Sequence, residues 1–256
     1  MNLAPVPAPV PVPVPVPAPV PVADLAAERR GRLADLLEQT SPQTRARQAQ
    51  ATVLPVLEPL ARLLLHGGLA KGTVTEAADM SLLLALAAGP ATADRYAWTA
   101  AVGLPDLGLA AAAGYGIDLA RLVVVDFPGD HFAEVVTALA AACPVVIAGS
   151  PTGLAPRAVD RLAAHLRRTG TVLITPGPWP GAQLRLEVSS RRWFGLGEGH
   201  GQLAGREVRV VASGRGAAAR TRAVDLLLPG PYGGVAVAEG IVGGGVVDGA
   251  GVAVTG

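Results

Sequence analysis

The stretch Leu63 to Leu86, LLLHGGLAKGTVTEAADMSLLLAL, decides how this chain is read. Gly72 to Ala77 reads as a short strand, and a helix is expected over 80–88. Between and across their ends, Thr75-Glu76-Ala77-Ala78-Asp79-Met80-Ser81 stands where a phosphate-binding strand–loop–helix unit carries its glycine-rich loop and Lys-Ser/Thr. That slot holds no glycine and no lysine. Glycines let consecutive backbone N–H groups curl around phosphate oxygens, and the lysine supplies the countercharge. Glu76 and Asp79 put carboxylates there instead, and Ser81 is the residual hydroxyl of the Ser/Thr position or a helix cap. The outline of a nucleotide site is present and its working groups are missing, so no cofactor is expected.

Half of the 256 residues are hydrophobic, but only 3 Phe, 3 Tyr and 3 Trp are among them, so the core must be built from Ala, Val and Leu. A chain of this length allows one medium domain with tails or two small ones, and is long enough to bury a proper core. Cys143 is the single cysteine, which excludes a disulfide framework and suits a reducing compartment. The four histidines are scattered, and no Cys/His spacing suggests a metal site. Val135 to Pro156 has no charged side chain, but Pro144 interrupts it. A helix ending by Cys143 and a buried strand from Pro144 to Ala148 account for that run without a membrane span. The start of the chain has neither the basic residues nor the unbroken apolar run of a signal peptide, and a cytoplasmic location is expected.

Residues 4 to 22 carry proline at every odd position from 5 to 21. Such a tract cannot donate ladder hydrogen bonds, so 1–23 is expected as a disordered, extended arm. Asp24 can cap a helix running to about Glu38, making 24–50 a helical segment. A short helix from about Pro59 to Leu65 stops at Gly67-Gly68. From Gly72 the pattern alternates, with strands at 72–77, 97–102, 121–125, 144–148 and 171–175 and helices at 80–88, 106–114, 130–142 and 155–169. Runs such as Leu122-Val123-Val124-Val125 are apolar on both faces, as in a parallel sheet covered by helices on both sides. After 180, Leu184 to Val188, Glu207 to Val211 and Ala223 to Leu228 suit an antiparallel extension. The core domain is placed at 51–230. A flexible Gly/Val-rich tail fills 231–256, where repeated valines could pair as a weak edge strand.

Charge is split along the chain. Residues 51–150 hold 4 basic and 9 acidic side chains, whereas 157–222 hold 12 arginines against Asp160, Glu187, Glu198 and Glu207, a balance of +8. An anionic surface is the expected contact of the C-terminal third, with Arg191, Arg192, Arg215, Arg220 and Arg222 as candidates. Trp179, between prolines, reads as a plug at the sheet end. Trp193, after two arginines, reads equally as core or as a stacking residue. Cys143 reads as a small core residue.

The GGLxxG of Gly67 to Gly72, the vacated loop and the segment Leu109 to Asp126 resemble RecA-like ATPases. The resemblance implies a three-layer α/β core with a mostly parallel sheet and an antiparallel C-terminal extension. It also locates further losses: Leu104 stands about where the water-activating glutamate would fall, leaving Asp106 displaced, with helix capping as its other reading. Gly149 stands where the magnesium-linked aspartate would be, and the DNA-gripping loops shrink to 150–153 and 176–181. Together with PGPWPGAQLRL and GRGAAARTR, these features resemble the actinobacterial ImuA′ proteins over roughly residues 50 to 230. That resemblance implies a non-catalytic accessory factor of damage-inducible translesion DNA synthesis. Its partner would be an ImuB-type inactive Y-family polymerase homologue and, through it, an error-prone C-family DNA polymerase. The surface over 185–222 would touch a partner or the DNA backbone. A divergent ATPase using Ser81 and Asp106, a DNA-binding protein of recombinational repair and a SulA-like regulator of cell division are the alternatives.

Overall fold

A computed structural model describes residues 52–150, 153–196, 201–215, 220–230, 232–238 and 247–248. All belong to the unit Gln48–Gly256. The arm 1–23, the helix expected from Asp24 and most of the tail lie outside the described residues.

The first described elements are β1 (Val53–Pro55), α1 (Glu58–Ala61), a 3-10 turn at Leu65–Gly67 and β2 (Gly68–Ala70). β1 and β2 pair as a short antiparallel ribbon. The helix expected over 59–65 is thus a single turn, and the motif glycines serve close packing. A Cβ on Gly68 would lie 2.5 Å from the Leu54 carbonyl oxygen, and one on Gly72 2.8 Å from the Arg167 Cα.

The main sheet begins with β3 (Val74–Ala77), followed by α2 (Met80–Ala93), β4 (Thr99–Val102), α3 (Leu109–Gly114), β5 (Leu122–Val125), α4 (Phe132–Ala140), β6 (Val145–Ala148), α5 (Pro156–Thr169) and β7 (Val172–Thr175). Then come the long hairpin strands β8 (Leu184–Leu196) and β9 (Gly201–Gly214), β10 (Arg222–Leu227), and two-residue strands β11 (Ala236–Val237) and β12 (Val247–Asp248). The order across the sheet is β11-β10-β9-β8-β3-β7-β6-β4-β5, with β12 on β8. The six strands from β5 to β8 in that order are mutually parallel, and β9 to β12 add antiparallel pairs. The expected α/β class with a mostly parallel sheet and an antiparallel extension is what the chain forms. Two short strands fall inside the stretch expected as tail.

Two apolar clusters, one on each face, make three layers. One joins β1, β2, α1, α2 and α3 to residues such as Ala77, Ala101 and Ile147; the other joins α4, α5 and Trp179 to Val74, Val102 and Val146. The alternation of strand side chains divides them this way. Crossovers that travel one way, from β3 to β4 to β5, use one face, and those that return through β6 to β7 use the other, as right-handed connections require. α2 is buried from Leu82 to Pro90 because the sheet lies on one side and the β1–β2 layer with α3 on the other, so it carries no polar stripe. α5 is amphipathic by contrast: Val159, Leu162 and Leu166 face inward, and Gly170 at φ 75° ends it.

The sheet edge at β5 is lined with aromatic and cationic side chains. Arg121 lies over the Tyr96 and Trp98 rings at 5.3 and 5.8 Å, and Phe127 is 84% exposed.

Gly89 shows how tightly the β1 layer seats on α2. A Cβ there would be 2.2 Å from the Pro55 carbonyl oxygen and 2.4 Å from the Val56 Cα. Alanine is favoured over glycine within a helix by about 1 kcal/mol, but the contact atoms are backbone and β1 must move. We expect Gly89→Ala to lose about 1–3 kcal/mol in urea unfolding. Gly114→Ala, with nothing within 4 Å of the new methyl, should be neutral or mildly stabilising.

Candidate functional site

Only Ala78 and Asp79 separate β3 from α2. The slot read as a loop over 75–81 is therefore mostly strand and helix, with no length of backbone left to wrap a phosphate. Asp79 is the N-cap of α2, and its carboxylate accepts the Leu82 N–H at 3.1 Å. The same carboxylate takes a two-pronged contact from Arg206, at 2.8 and 2.9 Å, and lies 3.7 Å from Arg191. Arg206, on β9, is 7% exposed; its Nε donates to the Leu228 carbonyl at 3.1 Å, and its guanidinium stacks 5.4 Å from the Trp193 ring centre. A helix N-terminus attracts an anion through its free N–H groups and dipole. Here the anion is supplied by the chain itself, and its countercharge comes from the hairpin.

Burial works to raise the Asp79 pKa, but the Arg206 contacts, the Leu82 N–H and Arg191 outweigh it and hold the carboxyl below its usual value. Glu76, inside β3, points to the opposite face. It accepts the Trp179 N–H at 2.7 Å and pairs with Arg185 of β8. Glu76 and Asp79 are therefore structural ion-pair partners, not relics without a role. Ser81 faces Tyr115, whose phenol burial pushes up in pKa.

The other expected sites fall as follows. Asp106 is exposed and does not cap α3: the turn closed by Leu107 N–H to the Leu104 carbonyl delays the helix, and Gly108 takes the N-cap position. Leu104 is buried. A Cβ on Gly149 would lie 2.4 Å from the Gly103 carbonyl oxygen, so an aspartate there would displace the end of β4. Trp179 is buried against Phe132, with ring centres 6.4 Å apart, as a plug at the sheet end. Trp193 is 36% exposed and forms a platform under Arg206, which is neither of its expected roles in full. Cys143 is buried, which pushes its thiol up in pKa.

The five candidate arginines do not form one patch. Arg191 is committed to Asp79 and Arg192 to Glu207 at 3.3 Å. Arg215, Arg220 and Arg222 lie around the β9–β10 connection, and none makes an ion pair or side-chain hydrogen bond within the described residues. Arg206 and Arg185 had no local signature: their acidic partners lie 127 and 109 residues away. Among the described residues there is no group of His, Cys, Asp and Glu that could hold a metal, and no helix long and apolar enough to cross a membrane.

The fold and site together define an α/β protein whose strand-to-helix anion position is closed by an internal ion pair. Residues 62–181 match the family described as MT3502 N-terminal domain. Over 108 residues the chain is 40% identical to the uncharacterized protein Rv3395c of Mycobacterium tuberculosis (strain ATCC 25618 / H37Rv), covering 41% of this chain and 52% of that protein. The chain thus spans about half the length of the curated relative it matches. The family match contains Glu76 and Asp79 but ends before Arg185, Arg191 and Arg206.

The Asp79–Arg206 pair generates two expectations. Arg206→Met should cost up to about 3–5 kcal/mol at neutral pH, because it leaves the Asp79 carboxylate with only the Leu82 N–H and the half-exposed Arg191. Asp79→Asn, which keeps a capping oxygen, should show the pH dependence. A depressed folded pKa means that the unfolded state binds more protons near pH 4, so the Asp79 contribution is present above about pH 3.9 and is lost as pH falls through the folded value. The stability difference between wild type and Asp79→Asn should therefore be full at pH 6 and shrink in acid, as read from urea midpoints.

Proposed function

We propose that this chain is a RecA-like scaffold without ATPase activity, an accessory factor of damage-inducible translesion DNA synthesis that binds an ImuB-type inactive Y-family polymerase homologue. The observation that carries the non-catalytic part is the Asp79 carboxylate seated at the α2 N-terminus after a two-residue connection. A nucleotide phosphate at that position would meet a fixed negative charge and would have to displace Arg206. The crowding at Gly149 supports the same reading, because no carboxylate can be placed there without moving β4. The RecA-like part is supported by the parallel sheet with helices on both faces and by β3 in mid-sheet, flanked by β7 and β8. The translesion role rests on the resemblance of residues 50 to 230 to the ImuA′ proteins.

Within this reading, the contact surface lies at Arg215, Arg220 and Arg222, since the arginines farther along the hairpin are engaged inside the chain. Two measurements test it. Titration calorimetry with Mg-ATP should give no binding heat, and micromolar affinity would overturn the scaffold reading. Co-purification with the inactive Y-family homologue should be lost or strongly weakened when Arg215, Arg220 and Arg222 are changed together to Ala; unchanged retention would remove them from the interface.

The same arginines, without an ion pair among the described residues, favour a second reading, direct contact with the DNA backbone. It requires binding of the full chain to single-stranded DNA that weakens steeply with salt.

A further inference from the structure

One end of the main sheet finishes in β11, a strand of two residues, and the other finishes in β5. β5 is Leu122-Val123-Val124-Val125, with no charge, proline or bulge to blunt it. The Gly103 N–H donates to the Val125 carbonyl at 2.8 Å, so Val125 turns its backbone groups towards β4. Backbone groups point to alternate sides along a strand, so Val123 also faces β4, whereas Leu122 and Val124 aim their N–H and C=O groups away from the sheet. No strand takes them among the described residues. Such a row of backbone groups is a template for a further strand.

Apolar exposure is concentrated at the same edge. Tyr96, Trp98, Leu119, Val124 and Phe127 are five of the eight large apolar side chains exposed among the described residues. They fall into two groups at opposite ends of the strand. Tyr96 and Trp98, with Arg121 over both rings, stand where β4 and β5 begin, and Phe127 stands past the end of β5. The charges are divided in the same way. The beginning holds Arg95 and Arg121 along with Asp94, which accepts the Tyr96 N–H, and Asp118, 3.7 Å from Arg121. The far end holds Asp126 and Asp130, both exposed and neither in an ion pair or side-chain hydrogen bond among the described residues.

We propose that β5 is the interface for a second copy of this chain, paired antiparallel about a twofold axis at Val123. Each Leu122 then exchanges both of its backbone bonds with Val124 of the other copy. The same alignment carries each Phe127 to the other copy's stack of Tyr96, Arg121 and Trp98, and each Asp126 to the end that holds the arginines. A parallel mate would set Phe127 against Phe127 and acid against acid. The contact uses the same patch on both copies, and each chain has one such edge, so the assembly closes at two. The surface at Arg215, Arg220 and Arg222 lies beside the strands at the other end of the sheet, and the dimer does not rest on the scaffold reading.

Sedimentation of the full chain at about 100 μM, well above a micromolar dissociation constant, should give the mass of two chains. Val124→Pro removes an outward N–H and leaves the β4 ladder intact, and Val124→Lys puts a charge on the edge. Both variants should sediment as single chains with the circular dichroism of the wild type. Phe127→Ala should weaken the dimer by about tenfold. Val123→Cys brings two Cα atoms to about 4.5 Å across the axis and should give a disulfide-linked dimer under a mild oxidant. Val125→Cys, about 13 Å from its counterpart, should not, nor should the wild type with its buried Cys143. Changing Arg215, Arg220 and Arg222 together to Ala should leave the mass at two chains, which separates this interface from the partner surface. A single-chain mass for the wild type, as when a strand of another protein or another segment of the chain takes the edge, overturns the proposal. So does a two-chain mass that survives Val124→Lys, or the lack of a cross-link at Val123→Cys.

Discussion

The two-pronged contact between Arg206 and Asp79 is the constraint on which the rest of the structure turns. α2 is buried from Leu82 to Pro90, and its half-buried N-terminus leaves backbone donors to be satisfied. Asp79 satisfies one, but a carboxylate in that setting needs a countercharge. The antiparallel hairpin delivers it from a point far along the chain. The contact therefore adds a side-chain tie, reaching across β8, between the parallel half of the sheet and its antiparallel extension. Leu228, which accepts from the same guanidinium, brings the end of β10 into the arrangement.

Much of the parallel core was legible because its signals are local. Strands such as Leu122 to Val125 and Val145 to Ala148 are apolar on both faces, and Pro156 and Gly170 bracket α5. The charge-free run around Pro144 resolved into α4 and β6 as its proline required. What escaped was set by long-range contact. The β1–β2 ribbon has three residues a strand, too few for a periodic pattern, and Gly68 and Gly72, read as part of a RecA-like GGLxxG entrance, let backbones approach. The full length of β8 and β9 was hidden by arginines and glycines that suggest loop. Asp106 has the composition of a cap and lies too far ahead of the helix to be one.

The charge balance of the C-terminal third is distributed differently in space than along the chain. A count of +8 over residues 157–222 suggests a continuous anionic-partner surface. In space, Arg185, Arg191, Arg192, Arg206 and Arg209 each face a carboxylate, on Glu76, Asp79, Glu207 or Asp225. Three of those acids, Glu76, Asp79 and Asp225, lie outside the window in which the charges were summed. Local charge counts overstate a patch whenever the neutralising groups come from another part of the chain. What remains without a carboxylate among the described residues at that end of the hairpin is a small cluster at the β9–β10 connection.

A helix terminus completed by a side chain of its own protein behaves differently from one completed by a dissolved ligand. Ligand binding adds stability that rises with ligand concentration, and it makes the folded state a reporter of that concentration. Asp79 is covalently present at a fixed effective concentration, so the order it imposes on α2 needs no dissolved ligand. This part of the fold is insulated from mass action. The surfaces held in place by the Asp79–Arg206 contact thus have their order supplied from within the chain.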